Sequence, residues 1–359
     1  MPQILHTVLE PDQDMTAVVQ AFRYDLPVNP ISAVIVTLRA LNNSAAPANY
    51  ARGALELMSK ISNVRARYRG ATVFDGDPID LAQIYGAYSG WYPNQGQINN
   101  TDNDVRSVSF PLLFGRRVYD PKECFPASSR GDLVMEIDTA ADPTGLDGFD
   151  MQIETIELLD ATPEAFIKVT TTQDTMESGD VNDIALPRGN KLLGLLLRAN
   201  TFPTGASNVA TFSDCSLEMD NVEVMYSRTF WRGLHAAWAR RCRRDWMTEG
   251  HVHTISGGAA APAAYAQATT IAIAADAANT SLTTGTAARA GITGIAPMTE
   301  IDALQRYGWA DFDPLNDLSM AIDTRGTADI NWHVNSGVAD GAASRFLPIE
   351  YVQVGAPPA

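Results

Sequence analysis

A chain of 359 residues has room for about two domains of roughly 100–200 residues each. Its formal charge of −16 at pH 7 argues against a surface built to neutralise phosphates, because nucleic-acid binding rests on Lys and Arg contacts. Three cysteines, Cys124, Cys215 and Cys242, are too few and too scattered for a disulfide framework or a paired-cysteine metal site, and read as ordinary buried thiols. The opening MPQILHTVLEPDQDM has neither the basic start nor the long apolar run of a secretory signal, so synthesis in a reducing cytoplasm is the expectation.

Along the chain, the first strong signal is Leu26 to Ala40 (LPVNPISAVIVTLRA). Within it Ala33 to Leu38 is almost continuously apolar, as a strand buried on both faces would be. Between Tyr50 and Ile61, Ala54, Leu57, Met58 and Ile61 fall at helical spacing. Val64, Ala66 and Tyr68 then alternate with Arg65, Arg67 and Arg69, which predicts a strand with one apolar and one cationic face. Asp77 is placed to cap a helix whose first residue is Pro78, and Leu81, Ile84, Tyr85 and Tyr88 share one side of it. Leu133, Met135 and Ile137 alternate with Glu136 and Asp138 in a further half-buried strand.

The second half repeats these signals. Leu186 to Ala199 (LPRGNKLLGLLLRA) contains the apolar run Leu192 to Leu197, whose second face is expected at an interdomain or intersubunit contact. Phe230, Leu234 and Trp238 stripe a helix. Leu318, Met320 and Ile322 reproduce the alternation seen at Leu133, and Ala328, Ile330, Trp332 and Val334 alternate with Asp329, Asn331 and His333. Ile349 to Val354 reads as the final strand. Strands that show polar groups on one side and cover a core with the other are those of antiparallel sandwiches, so the fold class is all-β with short helical insertions.

Three sequence matches suggest that the halves are copies. Leu26 to Ala40 pairs with Leu186 to Ala199, and NVRARY from Asn63 pairs with NVEVMY from Asn221. DLVMEIDT from Asp132 pairs with DLSMAIDT from Asp317, identical at six of eight positions. The offsets are 160 residues (Leu26 to Leu186), 158 (Asn63 to Asn221) and 185 (Asp132 to Asp317). Units of this size are whole domains, since solenoid repeats run roughly 20–50 residues. The expected division is 1–160 and 161–359, with an insertion of about 27 residues in the second copy after its NV strand. That insertion falls in the Ala, Thr and Gly-rich stretch Ile255 to Ala296, which is expected as a surface loop because small side chains bury little area. Pro262, Gln267 and Asp276 interrupt it well short of about 18 continuous apolar residues, so it is not a membrane span.

Few residues have the pattern of a chemical site. His251 and His253 occupy alternate positions of a strand, where two imidazoles could share a metal as in the HxH of cupins, but no carboxylate follows between Thr254 and Gly258. A polar strand end is the competing reading. Asp311, Asp313, Asn316 and Asp317, and likewise Asp142, Asp147 and Asp150, offer oxygen ligands of the kind calcium uses, without the spacing of an EF-hand. Ordinary turns account for both. Arg240, Arg241, Arg243 and Arg244 close the second-half helix, where cations oppose the negative end of its dipole. Their functional reading is an inward-facing patch that touches nucleic acid or anionic lipid, with Trp238 and Trp246 alongside. No phosphate-binding glycine loop, nucleophile elbow or zinc-protease motif occurs, so no catalytic residue, cofactor site or metal site is assigned.

Two consecutive all-β units, each with a strand and helix insertion, resemble the double jelly-roll major capsid proteins of icosahedral viruses of the tectivirus, corticovirus and related bacteriophage type. Phe110 to Thr139 (FPLLFGRRVYDPKECFPASSRGDLVMEIDT) is similar to the stretch that enters the last strands of the first jelly roll. Asp183 to Ala199 is similar to the opening of the second. The resemblance implies two eight-stranded jelly rolls side by side and a homotrimer forming a pseudo-hexameric capsomer. It also implies neighbouring capsomers, other capsid proteins such as pentons, a possible contact with genome or internal membrane, and no small-molecule substrate. The expected location is the virion, after synthesis in the host cytoplasm, with the small-residue insertion as a tower or intersubunit clasp. The competing readings are a bicupin-like metal enzyme using His251 and His253, and a carbohydrate-binding adhesion module.

Overall fold

The computed structural model describes residues 3–15, 19–43, 54–98, 103–143, 145–201, 210–242, 248–256, 259–266, 274–275, 292–295, 299–300, 306–339 and 342–355, of which 95–98 and 248–300 are described through the backbone alone. The first half runs β1 (Gln3–Met15), β2 (Ala21–Asp25), β3 (Ile31–Asn42), α1 (Ala54–Met58), β4 (Ile61–Tyr68), β5 (Ala71–Gly76), α2 (Pro78–Ser89), β6 (Asn94–Ile98), β7 (Val105–Leu113), β8 (Leu133–Thr139) and β9 (Leu146–Leu159). The second opens with β10 (Ala165–Val169), β11 (Thr172–Asp174), β12 (Val181–Ala185), β13 (Lys191–Arg198), β14 (Phe212–Met219), β15 (Val222–Glu223), β16 (Thr229–Phe230) and α3 (Trp231–Arg241). A group of short strands follows: β17 (Thr248–Ser256), β18 (Ala259–Ala266), β19 (Ala274–Ala275), β20 (Ile292–Ile295) and β21 (Thr299–Glu300). The chain closes with β22 (Tyr307–Asp311), β23 (Ile322–Asp323), β24 (Ile330–Ser336) and β25 (Ser344–Gln353).

The strand order is the same in both halves. In the first, β1-β9-β3-β7 faces β2-β8-β4-β5; in the second, β10-β25-β13-β22 faces β12-β24-β14-β15. Each set is an eight-stranded jelly roll, with the helix α2 or α3 inserted ahead of the sixth of its eight strands. One parallel bridge, Val169 to Phe74, joins β10 to β5 and makes β2-β8-β4-β5-β10-β25-β13-β22 a single sheet across the molecule.

The alternation predicted from sequence sets the packing. Val64, Ala66, Met135, Ile137, Ile330, Trp332 and Val334 are buried, while Arg65, Glu136 and His333 turn outward. The cationic face of β4 is matched by its neighbours, with Arg65 Nε 3.1 Å from Asp75 and Nη1 3.4 Å from Glu136. Asp77 caps α2 by accepting from the Ile79 N–H at 2.9 Å, and Gly90 ends it at φ 71°, a conformation that favours glycine. All three cysteines are free and buried, and burial pushes each thiol up, Cys124 to about 12. They are therefore protonated and unreactive.

Several expectations are corrected. Asn63 lies within β4, whereas Asn221 forms the β14–β15 hairpin turn with Asp220, both at positive φ. DLVMEIDT is strand β8, but most of DLSMAIDT is not a strand: only Ile322 and Asp323 pair, with β13. The counterpart of β8 is β24. The reason is local, because Asp313 accepts the Leu318 N–H at 3.1 Å and Asp317 accepts the Ser319 N–H at 2.9 Å, capturing backbone donors that a ladder would need. Asn316 and Leu318 accordingly adopt φ of 56° and 68°. Of the three matches, only Leu26 to Ala40 with Leu186 to Ala199 falls on equivalent strands, β3 and β13. The jelly-roll equivalence rests on strand order instead. True partners are offset by 160 residues at β3 and β13 (Ile31, Lys191) and by 197 at β8 and β24 (Leu133, Ile330), so the second half grew between them by more than the matches implied.

The helix around Tyr50 to Ile61 is the short α1, and Ile61 already belongs to β4. Phe230 does not join the α3 stripe; it precedes the helix and is exposed, and Trp231 is buried with Leu234 in the second core while Trp238 enters the first. The insertion is not all loop: β17 pairs with β18 and β20.

Candidate functional site

The run Leu192 to Leu197 is buried throughout. Leu192, Leu195 and Leu197 enter the interior of the second sandwich, and Leu193 and Leu196 join the core of the first together with Trp238, Tyr307, Trp309, Leu347 and Ile349. The second apolar face of β13 is thus covered within the same chain.

Two charged clusters flank the seam so formed. On one side α2 presents Asp77 and Asp80 from its first turn, where the helix dipole favours carboxylates. Facing them, Arg345, Arg198 and Tyr307 stand abreast on β25, β13 and β22. Arg198 Nη1 lies 2.9 Å from Asp80 and 3.1 Å from Asp77. Arg345 Nη1 lies 2.8 Å from Asp80 and 3.0 Å from Asp77, and the Tyr307 hydroxyl donates to Asp80 at 2.5 Å. Burial and the neighbouring Asp80 push the Asp77 carboxyl up, against the pull of Arg198 and Arg345. Burial likewise holds the Tyr307 hydroxyl protonated, as its donor role requires.

On the other side two guanidinium groups converge on the loop after β22. Arg116, from the segment after β7, forms a forked pair with Glu123 and reaches Asp313 at 3.4 Å and the Asn316 carbonyl at 2.9 Å. Arg241, at the end of α3, donates Nε to Asp311 at 2.7 Å, Nη1 to the Asn316 side chain at 2.7 Å and Nη2 to the Asp313 carbonyl at 2.7 Å. Its guanidinium also lies over the rings of Tyr88 and Trp309, 5.4 Å and 5.7 Å from their centroids. Forked carboxylate pairing and stacking on aromatic faces both favour Arg over Lys. The arrangement fixes orientation between two sandwiches; its carboxylates already have cationic partners.

The residues singled out from sequence therefore separate. Asp311, Asp313 and Asn316 come together, as partners of Arg116 and Arg241, while Asp317 turns to its own Ser319. Asp142 takes the ammonium of buried Lys60 at 2.7 Å, and Asp150 faces Arg39 at 3.8 Å. No group of three metal-ligating side chains stands among the described residues. Arg241 is committed to the seam, which removes it from the expected basic patch, and Arg240 is exposed. Arg243, Arg244 and Trp246 lie outside the described residues. His251 and His253 sit on β17, opposite Tyr265 and Pro262 of β18, and their side chains lie outside the described residues. Sequence reasoning missed Arg116, Arg198, Arg345 and Asp80; the one available signal was Arg198, which ends the apolar run Leu192 to Leu197.

No family model and no curated protein matches the chain. Solved structures do. The crystal structure of the STIV MCP aligns at a TM-score of 0.59 with 12% identity, over 98% of this chain and 97% of that one. The major capsid protein P2 from Bacteriophage PM2 aligns at 0.54 with 10% identity, over 98% of both chains. The PBCV-1 virus capsid aligns at 0.52 with 7% identity, over 98% of this chain and 94% of that one. The fold is the double jelly roll. In a double jelly roll the seam is the joint between the two rolls, and the paired clusters at Asp80 and Arg241 are what fix it here.

Proposed function

We propose that this chain is a major capsid subunit, a structural and non-enzymatic protein of an icosahedral virion. The observation that carries the reading is a double jelly roll that matches capsid proteins end to end, over 98% of this chain and 97% of the first. In this reading residues 1–160 and 161–359 are the two rolls, and three chains associate into a capsomer that presents six similar sandwiches. A duplicated domain lets one chain type fill quasi-hexagonal positions under closed threefold symmetry. A seam fixed by buried ion pairs supports the reading, because a tile needs its two lobes held at one angle. The insertion between α3 and β22 is assigned to the outer face or to a neighbouring subunit. Neighbouring capsomers and penton proteins are the further partners, and any contact with genome or membrane would draw on Arg240, Arg243 and Arg244. The test is electron microscopy of the purified protein at high concentration or of its source particle. Threefold capsomers of pseudo-hexagonal outline are expected; isolated two-lobed particles under every condition would refute the proposal.

A further inference from the structure

Lys168 and Glu350 form an ion pair that has a third member. Lys168 of β10 stands opposite Glu350 of β25, and Leu192 of β13 stands on the other side of Glu350. Asn190, just ahead of β13, reaches the same carboxylate. Lys168 Nζ lies 2.8 Å from Glu350 Oε1, and Asn190 Nδ2 donates to Glu350 Oε2 at 2.7 Å. The Glu350 side chain is 1% exposed and that of Lys168 28%. Asn190 is held from behind, since its carbonyl accepts from the Thr324 N–H at 3.2 Å and from the Thr324 hydroxyl at 2.6 Å. One buried carboxylate thus stands at ion-pair distance from a primary amine with one oxygen and accepts from a primary amide with the other.

The geometry points to an intramolecular isopeptide bond between Lys168 and Asn190, formed with Glu350 as the proton carrier. Amines attack amides slowly in water because the amine is protonated and the amide nitrogen leaves poorly as an anion. The site answers both difficulties. Glu350 Oε1, 2.8 Å away, takes a proton from the Lys168 ammonium as general base. The freed lone pair on Nζ attacks Cγ of Asn190 and gives a tetrahedral adduct. The Glu350 carboxyl then returns a proton to Nδ2, to which it is already hydrogen-bonded, as general acid. The Cγ–Nδ2 bond breaks, and the second proton on Nζ passes to the departing ammonia, which leaves as ammonium and frees a secondary amide between Nζ and Cγ. Ammonium and amide become secondary amide and ammonium ion, with the carboxylate restored and no oxidant or cofactor consumed. Holding amine and amide on either side of β25, both against Glu350, supplies the high effective concentration that such a reaction needs.

The product would tie β10 to the entrance of β13 across β25, locking three adjacent strands of the sheet that spans both rolls. The linkage is read directly by mass spectrometry of the folded, full-length protein. The intact mass is expected to fall short of the sequence mass by one ammonia, and digestion should yield a branched peptide joining Lys168 to Asn190. Lys168→Arg and Glu350→Gln should restore the full mass, and Lys168→Arg keeps the positive charge so that it folds. A wild-type protein at full sequence mass, or one that has lost ammonia while Lys168 and Asn190 appear in separate linear peptides, would overturn the assignment.

Discussion

Asp80 of the first roll and Arg198 of the second meet at 2.9 Å across the seam, with Asp80 wholly buried. Arg345 and Tyr307 share the same carboxylate. Removing that carboxylate leaves Arg198 and Arg345 with Asp77 alone and takes the acceptor from the buried Tyr307 hydroxyl. Breaking a buried pair from one side costs about 3–5 kcal/mol. Asp80→Ala should therefore lower the denaturant midpoint sharply, whereas Asp132→Ala, at the surface pair with Arg69, should cost no more than about 1 kcal/mol. Equal losses in chemical denaturation would contradict the seam's role.

A strand with one solvent face tolerates truncation there. Strand β13 has none: Leu195 enters the second core and Leu196 the first. Leu195→Ala and Leu196→Ala should each cost about 2–5 kcal/mol. A mild effect at Leu196, measured by the same denaturation, would mean that its face is not covered by the first roll.

Gly115 leads into Arg116, and a Cβ built on it would lie 1.9 Å from the Glu123 carbonyl oxygen. Backbone cannot swing aside as a side chain does. Gly115→Ala should displace the segment that carries Arg116 and cost at least the roughly 1–3 kcal/mol of an overpacked site. Its melting temperature should fall well below that of Gly131→Ala, where the added Cβ meets nothing within 4 Å although φ is 80°. Similar melting temperatures would refute the close approach.

His333 sits on the outer face of the second roll with Glu218 at 3.0 Å and Asp183 in contact. Burial lowers its proton affinity, but the bond to Asp183 and the charges of Asp183 and Glu218 outweigh that and raise it above the ordinary 6.5. The folded state then binds the proton more tightly than the unfolded chain. The contribution is complete below about 6.5 and is lost as pH rises through the folded value. Relative to wild type, His333→Gln should lose more thermal stability at pH 6 than at pH 9. A gap that does not change with pH would contradict this sign.

Much of this architecture is legible from the sequence, for reasons that differ by element. Period-two alternation located β4, β8 and β24 because each has one wet face, and Asp77 with Pro78 marked the start of α2. The likeness of DLSMAIDT to DLVMEIDT misled, because pairing depends on what else competes for the backbone donors, and Asp313 takes the Leu318 N–H. The seam was hidden for another reason. Asp80 and Arg198 are 118 residues apart and Asp77 and Arg345 are 268 apart, so no local pattern links them. The apolar run of β13 did signal a second contact, and the contact is with the chain's own first half.

The most direct test of the capsid reading is the mass of the purified full chain by light scattering across a dilution series. The account predicts a species of three chain masses that persists on dilution and gives way only to larger assemblies at high concentration. A stable monomer at every concentration, with no threefold species, would contradict it.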